Sequence, residues 1–151
     1  MRINYKKLII FILITFIIGS FFSFFNDTYL YDTLNKPIDI PSIVFIVVWT
    51  ILYLLMAISA YIISESNVLS KINALLIYFI QLIVNSLWTL FFFGFELYLF
   101  SFAWILLLII LVSIMIYKFY KINKTSAYLN IPYLLWIILA AYLNYMIYYL
   151  N

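Results

Sequence analysis

The sequence predicts an all-α integral membrane protein, a five-transmembrane-helix bundle forming one domain over residues 1–151. Three observations predict it. Of the 151 residues 70% are hydrophobic and 9% charged, with a mean hydropathy of +1.21, whereas soluble domains run near half apolar and a quarter charged. The charges divide the chain into five uncharged stretches, Leu8–Asn26, Ile40–Ser64, Ile72–Phe95, Leu97–Tyr117 and Thr125–Asn151. Each reaches the roughly 20 residues that cross a hydrocarbon core. None alternates polar with apolar as a barrel strand would, and an α-helix satisfies its own backbone within one segment.

The first helix is expected over about 8–25, after the basic start MRINYKK. A cleaved signal peptide fits less well, because the run is long for such a segment and ends in bulky FFSFF. Gly19 and Ser20 make a small patch where a neighbouring helix can approach. The connection 27–41 holds Asp27, Asp32, Lys36, Pro37, Asp39 and Pro41, and does not span. Pro41 suits a helix start, since its missing N–H would lack a partner there anyway. The second helix then covers about 42–63, and polar SESNVLSK leads to a third over about 73–93. Gly94–Leu97 reads as a tight turn with Gly94 near the helix C-terminus. The fourth helix spans about 98–117, and KFYKINKTS connects it to a fifth over about 128–149.

Charge fixes the expected orientation. Arg2, Lys6, Lys7, Lys71, Lys118, Lys121 and Lys124 fall on the N-terminal side of the bundle and Lys36 alone on the other. That asymmetry places the N-terminus in the cytoplasm and the C-terminus outside. Asp27, Asp32, Asp39 and Glu96 then lie outside, and the 27–41 loop covers the external mouth.

The composition also excludes functions. Cys and His are both absent, which rules out disulfides, thiolate or imidazole metal sites, and haem on an axial His or Cys. No cofactor, metal or nucleic-acid partner is expected; the lipid bilayer is. No ionisable Asp, Glu, Lys, Arg or His lies within a span, so the proton relay of an energised transporter is missing. Five helices also cannot divide into equal inverted repeats.

Polar and aromatic residues inside the spans carry the remaining signal. Gln81, Asn85 and Trp88 share one face of the third helix at helical spacing. Trp49, Tyr53, Met56 and Ala60 share a face of the second. In IPYLLWIILAAYLNY of the fifth, Tyr133, Trp136, Ala140, Ala141 and Asn144 do the same. An amide facing lipid would cost several kcal/mol, so these groups face helices or a cavity. Two readings stay open at this point. The amides bond helices together, for about 1 kcal/mol each, or the three faces wall a slot for a flat apolar ligand that stacks on the rings.

Four blocks then carry a family resemblance. LNKP (Leu34–Pro37), PSIVFIVVWTILYLLMAISAY (Pro41–Tyr61), QLIVNSLWTLFFFG (Gln81–Gly94) and PYLLWIILAAYLNY (Pro132–Tyr145) occur in order and cover most of the spans. The chain resembles the translocator protein family, also called tryptophan-rich sensory proteins or peripheral benzodiazepine receptors (TspO/MBR). The resemblance implies a clockwise five-helix bundle whose cavity is capped by the first loop. It implies a receptor or sensor in the bacterial plasma membrane that binds protoporphyrin IX-like tetrapyrroles and isoquinoline or benzodiazepine ligands, with transport as a further role. The ligand-binding residues carried over are Trp49, Tyr53, Asn85, Trp88, Ala103, Trp136, Ala140 and Asn144. For bacterial members it implies light- and oxygen-dependent porphyrin degradation as an alternative, with Trp49 and Trp136 as candidate catalytic groups. An uncoupled small transporter or purely structural bundle is the remaining alternative. Homodimers are implied too, although no small-xxx-small pattern marks an interface on the third helix.

The chain departs from the family pattern in places. Ile43 stands at a tryptophan position, Ile46-Val47 replace Gly-Pro, Ala57 stands where Gly is common, and PIDIP replaces a Trp- and Pro-richer loop. The sterol-recognition pattern has Leu143 and Tyr145 but no following basic residue, so sterol binding is not predicted.

Overall fold

The computed structural model describes residues 3–25 and 30–151. Arg2 and Asp27, counted above toward the charge asymmetry, lie outside the described residues, as does the beginning of the 27–41 loop. Among the described residues all regular structure is helical: α1 (Tyr5–Ser20), α2 (Leu30–Thr33), α3 (Ser42–Ser64), α4 (Lys71–Thr89), α5 (Tyr98–Ile122), α6 (Lys124–Tyr128) and α7 (Ile131–Leu150). A 3₁₀ turn, Phe21–Phe24, extends α1, and a π-helical turn, Leu90–Gly94, extends α4. Five helical segments are long and apolar enough to cross a membrane. The chain is an integral membrane protein with an all-α, five-span bundle.

Local chemistry accounts for most boundaries. The Asn4 side chain accepts from Lys7 N at 3.1 Å and caps the start of α1. Pro41 sits at the N-cap of α3, where its carbonyl accepts from Val44 N at 2.9 Å. With no Gly-Pro inside it, α3 runs unbroken to Ser64. Its C-terminal carbonyls meet positive charge: the Lys7 and Lys71 ammonium groups both donate to Ser64 O, at 3.3 and 3.2 Å. Lys7 also pairs with Glu65 at 2.6 Å, which ties α1 to the end of α3.

Several boundaries differ from expectation, beginning with the first helix, which starts at Tyr5. The fourth helix continues to Ile122, through the Lys118 and Lys121 turn, because nothing in KFYKI breaks a helix and the segment has only to leave the bilayer. Lys124–Tyr128 (α6) is a separate short helix, since Asn123 is extended and its side chain caps α6 by accepting from Ser126 N at 2.9 Å. The Gly94–Leu97 turn does form, but its left-handed residue is Glu96, at φ 54°, and not Gly94. The π turn supplies the reason. Phe95 N bonds Leu90 O and Leu97 N bonds Phe91 O, both at 3.0 Å, so the reversal of direction falls two residues beyond the glycine.

The spans close into a ring. Helix α1 packs on α3 and α4, α4 on α5, and α5 on α7, while α6 and the start of α7 return to α3. The half nearer the N-terminus is solid. Met56, Ala60, Tyr78, Leu82, Met115, Phe119 and Tyr133 are all fully buried there. Hydroxyls and amides bridge the spans inside it: Asn130 Nδ2 donates to Ser59 Oγ at 2.6 Å, and Thr15 shares a hydrogen bond with Tyr78 OH. The other half is more open. Ile43, Val44, Ile46 and Val47 are all exposed over the first two turns of α3, and the space behind them is the site described next.

Candidate functional site

A cavity of about 490 Å³ opens in that half of the bundle, within the range that holds drug-sized ligands. Trp49 and Tyr53 reach it from α3, Asn85 and Trp88 from α4, and Trp136, Ala140 and Asn144 from α7. Seven of the eight residues carried over by resemblance are therefore brought together.

Ala103 is not among them. It is exposed on the outer face of α5, while Ile105 and Leu108 of the same helix line the cavity. Two residues along an α-helix turn a side chain by about 200°, so Ala103 and Ile105 face opposite ways. Gln81 shares its helix face with Asn85 but lies too deep to reach the cavity. It is fully buried, and its Oε1 accepts from Tyr133 OH at 2.8 Å. All three predicted faces divide in this manner. Met56 and Ala60, Gln81, and Tyr133 belong to the solid core, while Trp49, Asn85 with Trp88, and Trp136 with Ala140 border the void.

The walls are held by buried polar contacts. Asn85 Nδ2 donates to Tyr53 OH at 3.2 Å, and Tyr53 OH donates to Gly19 O at 2.8 Å, which links α4, α3 and α1. Only a glycine fits beneath that ring: a Cβ at residue 19 would stand 2.6 Å from Tyr53 Cε1. Asn144 is a second joint. Its Oδ1 accepts from Trp88 Nε1 at 2.9 Å and from Ser101 Oγ at 3.0 Å, and its Nδ2 donates to Tyr98 O at 2.8 Å. One amide thus fastens α7 to both α4 and α5 while it also borders the cavity.

The rings form a continuous aromatic lining. Trp49 lies 5.3 Å from Tyr53 and 6.1 Å from Tyr133 between centroids. Trp136 meets Phe45 edge to face at 5.9 Å, and Phe45 meets Tyr31 in the same way at 5.2 Å. These separations suit attraction between aromatic quadrupoles. The indole N–H of Trp88 is taken by Asn144 and that of Trp104 by Val84 O, at 2.8 Å. Those of Trp49 and Trp136 have no acceptor among the described residues.

Tyr31, Phe45 and Gly19 are the site residues that the sequence reading missed. Phe45 stands one turn before Trp49 and could have been found by extending that face. Gly19 was read as a helix contact, but it is the seat of the Tyr53 ring. Tyr31 carries no sequence signal, because loop residues have no periodicity to place them. Its ring lies under the Lys36 ammonium, 4.5 Å from the centroid, and Lys36 bonds Tyr31 O at 3.0 Å and Asp39 at 3.2 Å. The Tyr31 hydroxyl is buried without a hydrogen-bond partner among the described residues. Burial, and then the nearby carboxylates of Asp39 and Asp32, push its pKa up and keep it neutral.

Comparison with known proteins agrees with this geometry. The sequence profile described as TspO/MBR family matches residues 9–150. The chain belongs to the TspO/MBR family. It is 37% identical over 134 residues to a tryptophan-rich protein TspO of Archaeoglobus fulgidus, covering 88% of this chain and 87% of that one. It is 34% identical over 136 residues to a tryptophan-rich protein TspO of Chlorobaculum tepidum, covering 88% and 86%. A tryptophan-rich sensory protein of Cereibacter sphaeroides is 34% identical over 116 residues, covering 76% and 72%. The TspO/MBR blocks fall where the cavity is built. Pro41–Tyr61, Gln81–Gly94 and Pro132–Tyr145 supply α3, α4 with its π turn, and α7, and Leu34–Pro37 lies beside Tyr31.

Proposed function

We propose that the chain is a membrane receptor or sensor that takes up planar apolar molecules, protoporphyrin IX-like tetrapyrroles and isoquinoline or benzodiazepine compounds, in the aromatic cavity. The observation that carries this reading is the pair Trp49 and Trp136. Both border a 490 Å³ void, and both keep the indole N–H unspent among the described residues. Trp88 and Tyr53, by contrast, are bonded into the walls and shape the site. Intrinsic fluorescence tests the reading, with protoporphyrin IX titrated into the protein in nanodiscs. Saturable quenching is expected, and unchanged affinity in a Trp49→Phe/Trp136→Phe double variant would remove the pocket assignment.

The position of the same two indoles favours light- and oxygen-dependent porphyrin degradation as a second reading, because an indole can donate an electron to a photoexcited porphyrin. Illumination should then bleach the bound porphyrin's Soret band faster than that of free porphyrin. Equal rates, or rates undiminished in the double variant, speak against it.

The bacterial plasma membrane with the N-terminus inside is part of this proposal. Lys6, Lys7, Lys71, Lys118, Lys121 and Lys124 sit at one end of the bundle and Lys36 at the other, which supports that orientation. Transport of the bound ligand and a homodimer, both implied by the resemblance, belong to the same reading, and the mass of the nanodisc-embedded particle tests the dimer.

A further inference from the structure

The end of the bundle that carries the N-terminus holds a second, smaller cleft of about 220 Å³, between the start of α4 and the last turns of α5. Ser70, Asn73, Tyr117, Lys118, Lys121 and Ile122 line it. All but Ile122 carry a side-chain group that donates hydrogen bonds, and no carboxylate borders the cleft among the described residues. Helical spacing gathers the α5 members on one face, with Lys121 one turn beyond Tyr117 and Lys118.

The lysines at this end divide into two groups. Lys7 pairs with Glu65 at 2.6 Å and donates to Ser64 O, and Lys71 donates to Ser64 O and Ser66 O at 3.2 and 2.6 Å. Glu65 is the one acidic side chain that the sequence places at this end, so its pairing with Lys7 leaves none for the others. The ammonium groups of Lys118 and Lys121 have no hydrogen-bond or ion-pair partner among the described residues, and neither do the side chains of Ser70 and Asn73. Lys121 covers the Tyr117 ring at 5.2 Å from the centroid, a contact that leaves its N–H groups able to donate.

Depth narrows the choice of anion. The uncharged part of α5, Tyr98–Tyr117, is about 30 Å long at helical rise, the thickness of a hydrocarbon core. Lys118 and Lys121 follow it directly and so lie among lipid headgroups, with the exposed Tyr117 at the boundary where aromatic rings concentrate. A phosphodiester at that height presents anionic oxygens to both ammonium groups, and charge-assisted hydrogen bonds of this kind are the strong ones. Basic pockets between spans suit anionic headgroups for this reason.

We propose that this cleft binds the phosphate of an anionic phospholipid such as phosphatidylglycerol, with Lys118 and Lys121 supplying the charge and Ser70 and Asn73 the neutral donors. The site is separate from the aromatic cavity and does not depend on what that cavity takes up.

Native mass spectrometry of the detergent-solubilised protein tests this, with phosphatidylglycerol, phosphatidylcholine or glycerol phosphate added at constant ionic strength. One phosphatidylglycerol should bind saturably, about fivefold or more tighter than phosphatidylcholine, whose headgroup has no net charge. Lys118→Gln/Lys121→Gln should weaken it about twentyfold, since each lysine beside an anionic headgroup is worth about fivefold. Ser70→Ala/Asn73→Ala keeps the charge and should weaken it about fivefold. Lys6→Gln/Lys124→Gln removes the same charge from the same end but outside the cleft, and should change affinity less than about twofold. Circular dichroism confirms that each variant is folded. An equal loss in both lysine pairs overturns the site in favour of diffuse attraction, and phosphatidylcholine bound as tightly as phosphatidylglycerol overturns the anion preference. Undiminished binding in the Ser70/Asn73 variant overturns the role of the neutral donors. Glycerol phosphate that binds as tightly as the lipid identifies a soluble ligand and overturns the lipid source.

Discussion

Gly19→Ala is the change whose cost can be worked most directly from the geometry. The added Cβ would stand 2.6 Å from Tyr53 Cε1, 2.7 Å from Cζ and 3.0 Å from the hydroxyl oxygen. Ordinary contact begins near 3.4 Å, so the ring would have to retreat by about 0.8 Å. It has little room to do so. Tyr53 is buried, and its hydroxyl is held by Gly19 O at 2.8 Å and Asn85 at 3.2 Å. Overpacking of this kind costs about 1–3 kcal/mol, and weakening a buried hydrogen bond adds about 1 kcal/mol. The expected loss is about 2–4 kcal/mol in reversible SDS unfolding followed by circular dichroism. Tyr53→Leu removes the ring atoms that clash, so Gly19→Ala should cost under about 0.5 kcal/mol in that background, leaving a coupling energy above about 1.5 kcal/mol. A wild-type-like midpoint for Gly19→Ala, or the same loss with and without the Tyr53 ring, refutes the argument.

Three further outcomes are expected. Asn144→Leu should destabilise the bundle by about 2–3 kcal/mol in the same unfolding assay, because it strips the Trp88 N–H of its acceptor in an apolar interior and removes the amide donor to Tyr98 O. Ala140→Thr adds bulk to a cavity wall and should weaken porphyrin binding about tenfold or more by fluorescence titration while shifting the unfolding midpoint little; unaltered affinity would mean that this face packs against protein. Glu96→Gly relieves a left-handed backbone that disfavours any side chain, and the thermal midpoint should rise by the equivalent of about 0.5–1 kcal/mol.

Much of the molecule was legible in the residues alone. Hydropathy and sparse charge specify the number and length of the spans, because a long, non-alternating apolar segment satisfies its backbone in lipid only as a helix. Helical periodicity specifies which residues share a face, so Trp49 with Tyr53, Asn85 with Trp88, and Trp136 with Ala140 and Asn144 were correctly grouped. Periodicity says nothing about depth. Gln81 and Tyr133 lie on the same faces as Asn85 and Trp136, yet they bond each other inside the solid half. What separates core from cavity is how the spans pack against one another, together with the small residues Gly19 and Ala140 beside the void. Interhelical angles depend on packing between chain segments far apart in sequence, which no single segment encodes. Ala103 was misplaced for a related reason. Helix α5 is apolar all round, so its composition does not reveal which side meets protein and which meets lipid. The sequence by itself therefore determined a five-span membrane protein with aromatic and amide faces. Only the tertiary structure decided where those faces part to leave a void, that Tyr31 and Phe45 complete its lining, and that the N–H groups of Trp49 and Trp136 meet no acceptor among the described residues, because each of these depends on distances across the ring of helices.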